Sequence, residues 1–337
     1  MKKGGLKMKA LLVKDTTKTL YIGECKDPVI GEEEVLVSVK ATALNRADLL
    51  QKMGKYPPPP GESSIIGLEM AGVVERTGEK VTRWKPGDRV CALLAGGGYA
   101  EKVAVHEGLC LPLPEGMDFE EAAGIPEAFL TAYLNLFELG RLKSGDFCLI
   151  HAAASGVGTS AIQLALAAGA IPIATAGSNE KLELCRKLGA HYLINYREED
   201  FAERVRDLTQ GHGADVILDP VGASYFEKNL ESVAVDGRWI VIGGMGGYEV
   251  EKVPLRSLMR KRASLIGSTL RSRRTEDKIS LIEHFQDFSW KRFIDGDLSP
   301  VIDRVYSWKE ANEAHSYMEQ NKNLGKIVMT INEEEKS

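Results

Sequence analysis

The stretch from Asp146 to Ala165 holds the residues whose types and spacing best suit chemistry. An apolar run, residues 147–152, enters the small-residue turn Ala153-Ala154-Ser155-Gly156-Val157-Gly158, and an Ala- and Leu-rich run follows at once. A strand that turns directly into a helix leaves the first helical N–H groups unpaired and partly positive, a ready site for phosphate. Small residues let that backbone approach a pyrophosphate closely. The register is Ala153-x-Ser155-x-x-Gly158, an imperfect G-x-G-x-x-G, so the competing reading is a turn that only packs helix on strand. Context favours phosphate binding, because further strand–helix units come after. Ser155, Gly156, Val157 and Gly158 are therefore expected to hold the phosphates of a dinucleotide.

The second strand of that pattern, residues 171–175, ends in Ala176-Gly177-Ser178-Asn179-Glu180-Lys181, with no carboxylate at its tip to accept from a ribose 2′-hydroxyl. Gly177 leaves room, Ser178 offers a hydroxyl, and Lys181 adds charge one turn on. Tyr196, after the third strand, adds another donor. This set favours NADPH over NADH. Glu180 turned inward, or Lys181 as an ordinary solvated lysine, opposes it. His151 is tempting as an acid, but its place inside an apolar strand favours a packed neutral histidine.

The elements around these residues fall into two kinds. Up to about residue 105 there are short strands, at 9–13, 34–41, 72–77, 89–94 and 100–105, punctuated by Gly and Pro, which suggests a small barrel. Residues 128–138 look helical. From residue 147, strands at 147–152, 171–175, 192–195, 216–219, 239–242 and 264–267 alternate with helices at 156–168, 179–188, 198–210 and 225–233. That rhythm is βαβ and predicts a parallel sheet with helices on both faces. The tail departs from it, with helices at 275–295 and 308–320 and strands at 301–306 and 326–331, and it could return to the first domain.

The chain has 337 residues, 44% hydrophobic and 27% charged, with net charge −5, the balance of an ordinary soluble protein of about two domains. A broad basic surface for nucleic acid is not expected. The five Cys are widely spaced without a C-x-x-C, which fits a reducing compartment, and the cytoplasm is the expected location. No run approaches the roughly 18 apolar residues of a membrane span. Residues 2–7 read as a charged extension without a secretory h-region, and Glu333 to Lys336 as a solvated tail.

Several blocks together carry a family resemblance: ALNRADLLQKMGKYPPPPG (43–61), GLEMAGVV (67–74), GDRVCALLAGGGYAEKVAV (87–105), IPEAFLTAYLNL (125–136), LIHAAASGVGTSAIQLA (149–165), DGRWIVIGGMGG (236–247) and NKNLGKIVM (321–329). The chain resembles the zinc-free quinone oxidoreductase branch of the medium-chain dehydrogenase/reductases, the group that includes ζ-crystallin, over nearly its whole length. The resemblance implies an α/β fold: a discontinuous GroES-like β-rich catalytic domain, residues 1–130 and 271–337, and a Rossmann-type doubly wound domain, residues 131–270, that binds NADPH. It also implies a homodimer.

Zinc alcohol dehydrogenases of this superfamily hold metal with a Cys, a His and a later Cys. Here those positions read Asn45, Leu68 and, approximately, Glu127. Asn and Leu supply neither thiolate nor imidazole, so no metal is expected. Without that Lewis acid the acceptor must already be electron-poor, such as a quinone or another conjugated carbonyl. By resemblance, Asn45 lies near nicotinamide and substrate. Tyr56 lines the substrate pocket, as donor or stacking partner, or else only anchors the loop 57–60. Thr131, the backbone of Gly243, Gly244, Met245 and Gly246, and Leu270, Ser272 and Arg273 lie near the cofactor, with a solvated Arg273 an equal alternative. The leading expectation is an NADPH-dependent quinone reductase. The alternatives are C=C reduction of enals, enones or enoyl thioesters, and a cofactor-binding structural or RNA-associated protein.

Overall fold

The computed structural model describes residues 7–331. The expected extension, apart from Lys7, and the tail from Glu333 to Lys336 lie outside the described residues. The chain begins with an antiparallel hairpin, β1 (Lys7–Lys14) and β2 (Thr19–Lys26). There follow β3 (Glu34–Ala43), helix α1 (Arg46–Lys52), β4 (Glu69–Thr77), β5 (Arg89–Leu93), β6 (Lys102–His106), β7 (Cys110–Pro112) and α2 (Phe119–Ala123). Helix α3 (Pro126–Tyr133) then runs into a π-helical segment, Leu134–Leu139.

The next stretch alternates strand and helix: β8 (Phe147–Ile150), α4 (Gly156–Ala167), β9 (Ile171–Ala176), α5 (Asn179–Lys187), β10 (Tyr192–Asn195), α6 (Phe201–Leu208), β11 (Ala214–Asp219), α7 (Phe226–Ser232), β12 (Val233–Val241), α8 (Leu255–Lys261) and β13 (Ser264–Gly267). The tail holds the 21-residue α9 (Thr275–Asp295), β14 (Ile302–Ser307), α10 (Ala311–Glu319) and β15 (Lys326–Thr330).

The chain packs as two compact units, one from residues up to Glu127 together with those from Arg271, the other Ala128–Leu270. The first is GroES-like. Its main sheet runs β14-β15-β3-β4-β5-β7, with β6 also paired to β3. The returning tail supplies β15, which pairs antiparallel with β3 through Val328–Ala43 and Thr330–Ala41. Gly72 in β4 is needed for the close approach to β3, since a Cβ there would stand 2.2 Å from the Ser38 carbonyl oxygen.

The second unit is Rossmann-like, a six-stranded parallel sheet in the order β10-β9-β8-β11-β12-β13. The order reverses between β8 and β11, and in such sheets ligands bind outside the carboxyl ends of the strands at that reversal. The core holds Leu149, Ile173, Ile194, Val205, Ile217 and Trp239. Each such side chain contributes roughly 1.5–3 kcal/mol by leaving water.

Several expected elements differ from those observed. Strand β2 was not anticipated, because TLYIGECK exposes residues on both faces and shows no apolar alternation. Helix α8 buries none of its residues and carries no stripe to read. Strand β12 starts well before residue 239. Asp236 takes φ 63° beside Gly237, which looks like a turn in the sequence, yet the strand passes through it as a bulge with a register shift against β11. The helix expected at 198–210 is shorter, because Asp200 caps α6 by accepting from Ala202 and Glu203. No helix among the described residues is long and apolar enough to cross a membrane.

Candidate functional site

In the Rossmann-like unit the expected residues gather on loops after the strands. Ser155 is the N-cap of α4 and its hydroxyl accepts from the Gly158 N–H at 3.1 Å. That leaves the N–H groups of Gly156 and Val157 without a partner among the described residues, the pattern a phosphate needs. Gly158 is sterically required: a Cβ would lie 2.5 Å from the Ala153 carbonyl oxygen. The turn ahead of it is tight, with Ala152 at φ 48°.

At the tip of β9, Ser178 caps α5 by accepting from the Lys181 N–H at 3.4 Å. Gly177 lies directly beneath Tyr196, so that a Cβ would stand 2.6 Å from the phenol oxygen and 3.1 Å from Arg197 Nε. The structure therefore brings Ser178 and Tyr196 together around Gly177, with Lys181 in the first turn of the adjoining helix. Arg197 was not among the expected residues.

The loop holding Gly243, Gly244, Met245 and Gly246 is tied to the turn after β11. Met245 and Gly246 donate to the carbonyls of Pro220 and Val221, and Ala223 and Ser224 donate back to Gly247 and Gly246. Gly222, at φ 81°, has no room for a side chain, with the Gly247 carbonyl 2.7 Å from where a Cβ would be. Asp219, buried and without an ion-pair partner among the described residues, organises that turn. It accepts from the N–H groups of Val221 (2.7 Å) and Gly222 (3.0 Å), from Asn229 Nδ2 (3.0 Å) and from Trp239 Nε1 (2.9 Å).

His151 belongs to this scaffold. Asn229 donates its amide N–H to Asp219, so its oxygen accepts from His151 Nε2 at 2.7 Å, and Nδ1 then accepts from the Thr175 hydroxyl at 2.9 Å. Burial holds the imidazole below its ordinary pKa, partly offset by the Asp219 charge and the Asn229 bond. It is a packed neutral histidine, as its place in the sequence suggested. Thr131 lies on α3, its carbonyl accepting from Asn135 Nδ2 at 2.7 Å, and Leu270 is buried at the end of the unit.

The other unit holds Asn45, Tyr56, Ser272 and Arg273. Asn45 precedes α1 and sits in a buried ionic cluster that the sequence did not disclose. Lys326 Nζ, on β15, donates to Glu69 Oε1 at 2.6 Å, Asn45 Oδ1 at 2.8 Å and the Leu44 carbonyl at 2.9 Å, which uses all three of its protons. Asn45 Nδ2 donates to the same Glu69 oxygen at 2.8 Å. Glu69 Oε2 accepts the backbone N–H of Glu127 at 2.8 Å. Both ends of the Asn45 amide are thus fixed, the oxygen by an ammonium and the nitrogen by a carboxylate. The side chains of Lys326 and Glu69 are 4% and 0% exposed, so this is a fully desolvated pair.

Two further carboxyls join the cluster. Asp48 accepts from the Asn45 N–H at 2.7 Å and from the Tyr99 hydroxyl at 3.2 Å. Burial pushes it up to about 7, against the pull of those hydrogen bonds and of Lys326. Burial and the Glu69 charge push Glu127 up to about 8, and its Oε2 is buried without a partner. The positions that read as zinc ligands in relatives thus hold an amide fixed by Lys326, the fully buried Leu68 and a largely protonated Glu127. No group of three or more His, Cys, Asp or Glu among the described residues is placed to hold a metal ion.

Comparisons with known proteins agree with this geometry. The alcohol dehydrogenase GroES-like domain model matches residues 31–115, and the zinc-binding dehydrogenase model residues 156–286. The quinone oxidoreductase of Rattus norvegicus is 31% identical over 309 residues, covering 90% of this chain and 91% of the relative. The crystal structure of a quinone oxidoreductase from Pseudomonas syringae pv. Tomato DC3000 matches with a TM-score of 0.84 at 32% identity, covering 96% of this chain and 99% of that one. That of CurK enoyl reductase matches with a TM-score of 0.85 at 29% identity, covering 97% and 99%.

Two predictions follow from the buried cluster. Lys326→Met strands the Glu69 carboxylate and lowers stability by about 3–5 kcal/mol, and adding Glu69→Gln restores part of the loss. Denaturant unfolding of the two variants checks this, and equal stability of the single and double variants would contradict it. The second concerns pH. Asp48 keeps its proton in the folded chain to about 7, whereas the unfolded chain loses it near 3.9. Between those values the folded state binds more protons, so this residue makes stability fall as pH rises. Asp48→Asn therefore flattens the decline in stability between about pH 4 and pH 7, measured by urea unfolding across that range.

Proposed function

The chain belongs to the zinc-independent medium-chain dehydrogenase/reductases related to quinone oxidoreductase, and we propose that within this family it reduces quinones with NADPH. Membership makes it an NAD(P)H-dependent oxidoreductase, and the finer reading rests on its own residues. The observation that carries it is the amide–ammonium–carboxylate arrangement of Asn45, Lys326 and Glu69. It provides fixed charge and fixed dipoles, and no ligand set for a Lewis acid. Such a site suits an acceptor that is electrophilic by itself, and a quinone is one because its reduction restores aromaticity.

In this reading Ser155, Gly156, Val157 and Gly158 hold the pyrophosphate. The 2′-phosphate lies by Gly177, bound by the hydroxyls of Ser178 and Tyr196 and the charge of Lys181. Thr131, the loop from Gly243 to Gly246, Leu270, Ser272 and Arg273 shape the nicotinamide end. When bound, NADPH supplies a hydride. Tyr56 stacks on the acceptor or donates to its oxygen, and Asn45 anchors the polar floor beside it. The close approach at Gly177 supports the fit, since a side chain there would crowd the Tyr196 hydroxyl, while Gly158 lets α4 start tightly against the Ala153 carbonyl.

A second reading, C=C reduction of an enone or enoyl thioester, draws support from the similarity to CurK enoyl reductase. The chemistry is related, because both acceptors take hydride and leave charge on a conjugated oxygen. Turnover of ortho- and para-quinones against an enone decides between them. The proposal expects quinone turnover to dominate, and turnover of the enone alone would replace it with the second reading.

Lys181→Glu is expected to lower kcat/KM for NADPH at least about tenfold relative to NADH, since charge-assisted bonds to phosphate are among the strongest. An unchanged ratio of the two cofactors would remove the 2′-phosphate assignment. We also propose a homodimer through the open edge of β13, where Leu265 is 43% exposed; the preceding helix α8 also exposes Leu255 (65%) and Met259 (76%). Such an unpaired, apolar edge invites pairing. Light scattering should give twice the chain mass for the wild type and a smaller mass for Leu265→Lys; a monomeric wild type would rule the dimer out.

A further inference from the structure

Arg271 is 4% exposed, yet its hydrogen bonds run to neutral acceptors on three separate segments. Nε donates to the Ala95 carbonyl at 2.7 Å after β5, Nη2 to Gln51 Oε1 at 2.7 Å on α1, and Nη1 to the Tyr56 carbonyl at 3.3 Å. The guanidinium carbon also stands 5.1 Å from the centroid of the Tyr56 ring. The Arg271 carbonyl accepts from Lys278 Nζ at 2.7 Å, and Lys278 is 5% exposed. None of the nearby carboxyl groups, Asp48, Glu127 and Glu62, forms an ion pair with Arg271 among the described residues.

A guanidinium does not give up its charge. Burying that charge without a paired carboxylate is costly, and hydrogen bonds to neutral oxygens do not by themselves require a net charge. The charge must therefore do something at the group it stacks on. Tyr56 sits within the segment 54–61, bounded by Gly54 at φ 74° and Gly61 at φ 89°, and nothing lies within 4 Å of where a Cβ would be at either glycine. Arg271 holds the middle of that loop by both ring and backbone.

We infer that Arg271 is the positioning residue of Tyr56: its fork fixes the loop, and its unneutralised charge over the ring strengthens the phenol as a hydrogen-bond donor to an acceptor oxygen that becomes negative. The electrostatic half rests on the reading of Tyr56 given above, and the mechanical half does not. Lys278 fixes the Arg271 backbone and adds a second cation to the same wall.

The test compares Arg271→Gln, which keeps at most part of the hydrogen bonding and loses charge, with Arg271→Lys, which keeps charge and loses the fork. The first readout needs no activity. In protein labelled at the tyrosine Cζ, with the Tyr56 signal assigned by its loss in Tyr56→Phe, that signal should move in both Arg271 variants while the other tyrosines stay in place. An unmoved Tyr56 signal in the variants overturns the inference. Should Arg271→Gln fail to fold, Arg271→Lys alone decides, because an ammonium cannot reach three acceptors on three segments.

The second readout is a double-mutant cycle on turnover of a quinone. Arg271→Gln should lower kcat/KM about tenfold when Tyr56 is present and less than about twofold in Tyr56→Phe, with KM for NADPH unchanged. Equal losses in both backgrounds show that Arg271 does not act through Tyr56 and overturn the inference. If the wild type turns over no acceptor, the functional reading fails by itself, and the tyrosine signal still decides the link between Arg271 and Tyr56.

Discussion

The buried ion pair between Lys326 and Glu69 is the interaction on which the first unit depends. Removing two charges from water costs several kcal/mol for each ion, and only close geometry with full hydrogen bonding offsets that. Here every proton of the ammonium is used, and both carboxylate oxygens accept. The pair joins the last strand of the chain to the first residue of β4 and to the loop before α1. It therefore secures the discontinuous unit and sets the orientation of Asn45 in one arrangement. Asp48 and Glu127 retain protons chiefly because burial disfavours their charged forms, and the neighbouring Glu69 charge adds to that.

In the nucleotide-binding unit a single buried carboxylate has a comparable part. Asp219 gathers four donors, two from the turn after β11, one from the indole of Trp239 and one from Asn229. Through Asn229 it also fixes the tautomer of His151, which reaches Thr175 near the tip of β9. The ends of β8, β9 and β11 are thereby joined by side chains as well as by the sheet. Loops that hold glycine where a Cβ would collide with neighbouring backbone are thereby placed on rigid supports.

What could be read in the sequence follows from what is local. The turn around Ser155 and Gly158 lies within a few residues, and the βαβ rhythm declares itself by apolar runs, so the parallel sheet and the tight turn that opens α4 were legible. Helix α9 and strands β10 and β13 have the expected bounds because their caps and turn residues are adjacent. The buried cluster was not legible, because Lys326 and Glu69 stand 257 residues apart and each looks like an ordinary surface charge. Arg271 was hidden for the same reason, its partners lying 176 to 220 residues earlier. Strand β12 was misread because Asp236-Gly237 carries the chemistry of a turn, and only packing against β11 shows that the strand continues. A lysine just after a glycine at the start of a late strand, with a glutamate opening an early one, is the signal that pairing across the chain would have required.

The account makes a lysine ammonium, rather than a metal ion, the resident cation of the catalytic unit. The most direct test is NADPH-dependent quinone turnover by protein of measured zinc content, before and after treatment with a strong chelator. The account predicts substoichiometric zinc and undiminished turnover after treatment. Zinc near one ion per chain, with turnover lost to the chelator and restored by added zinc, would contradict it.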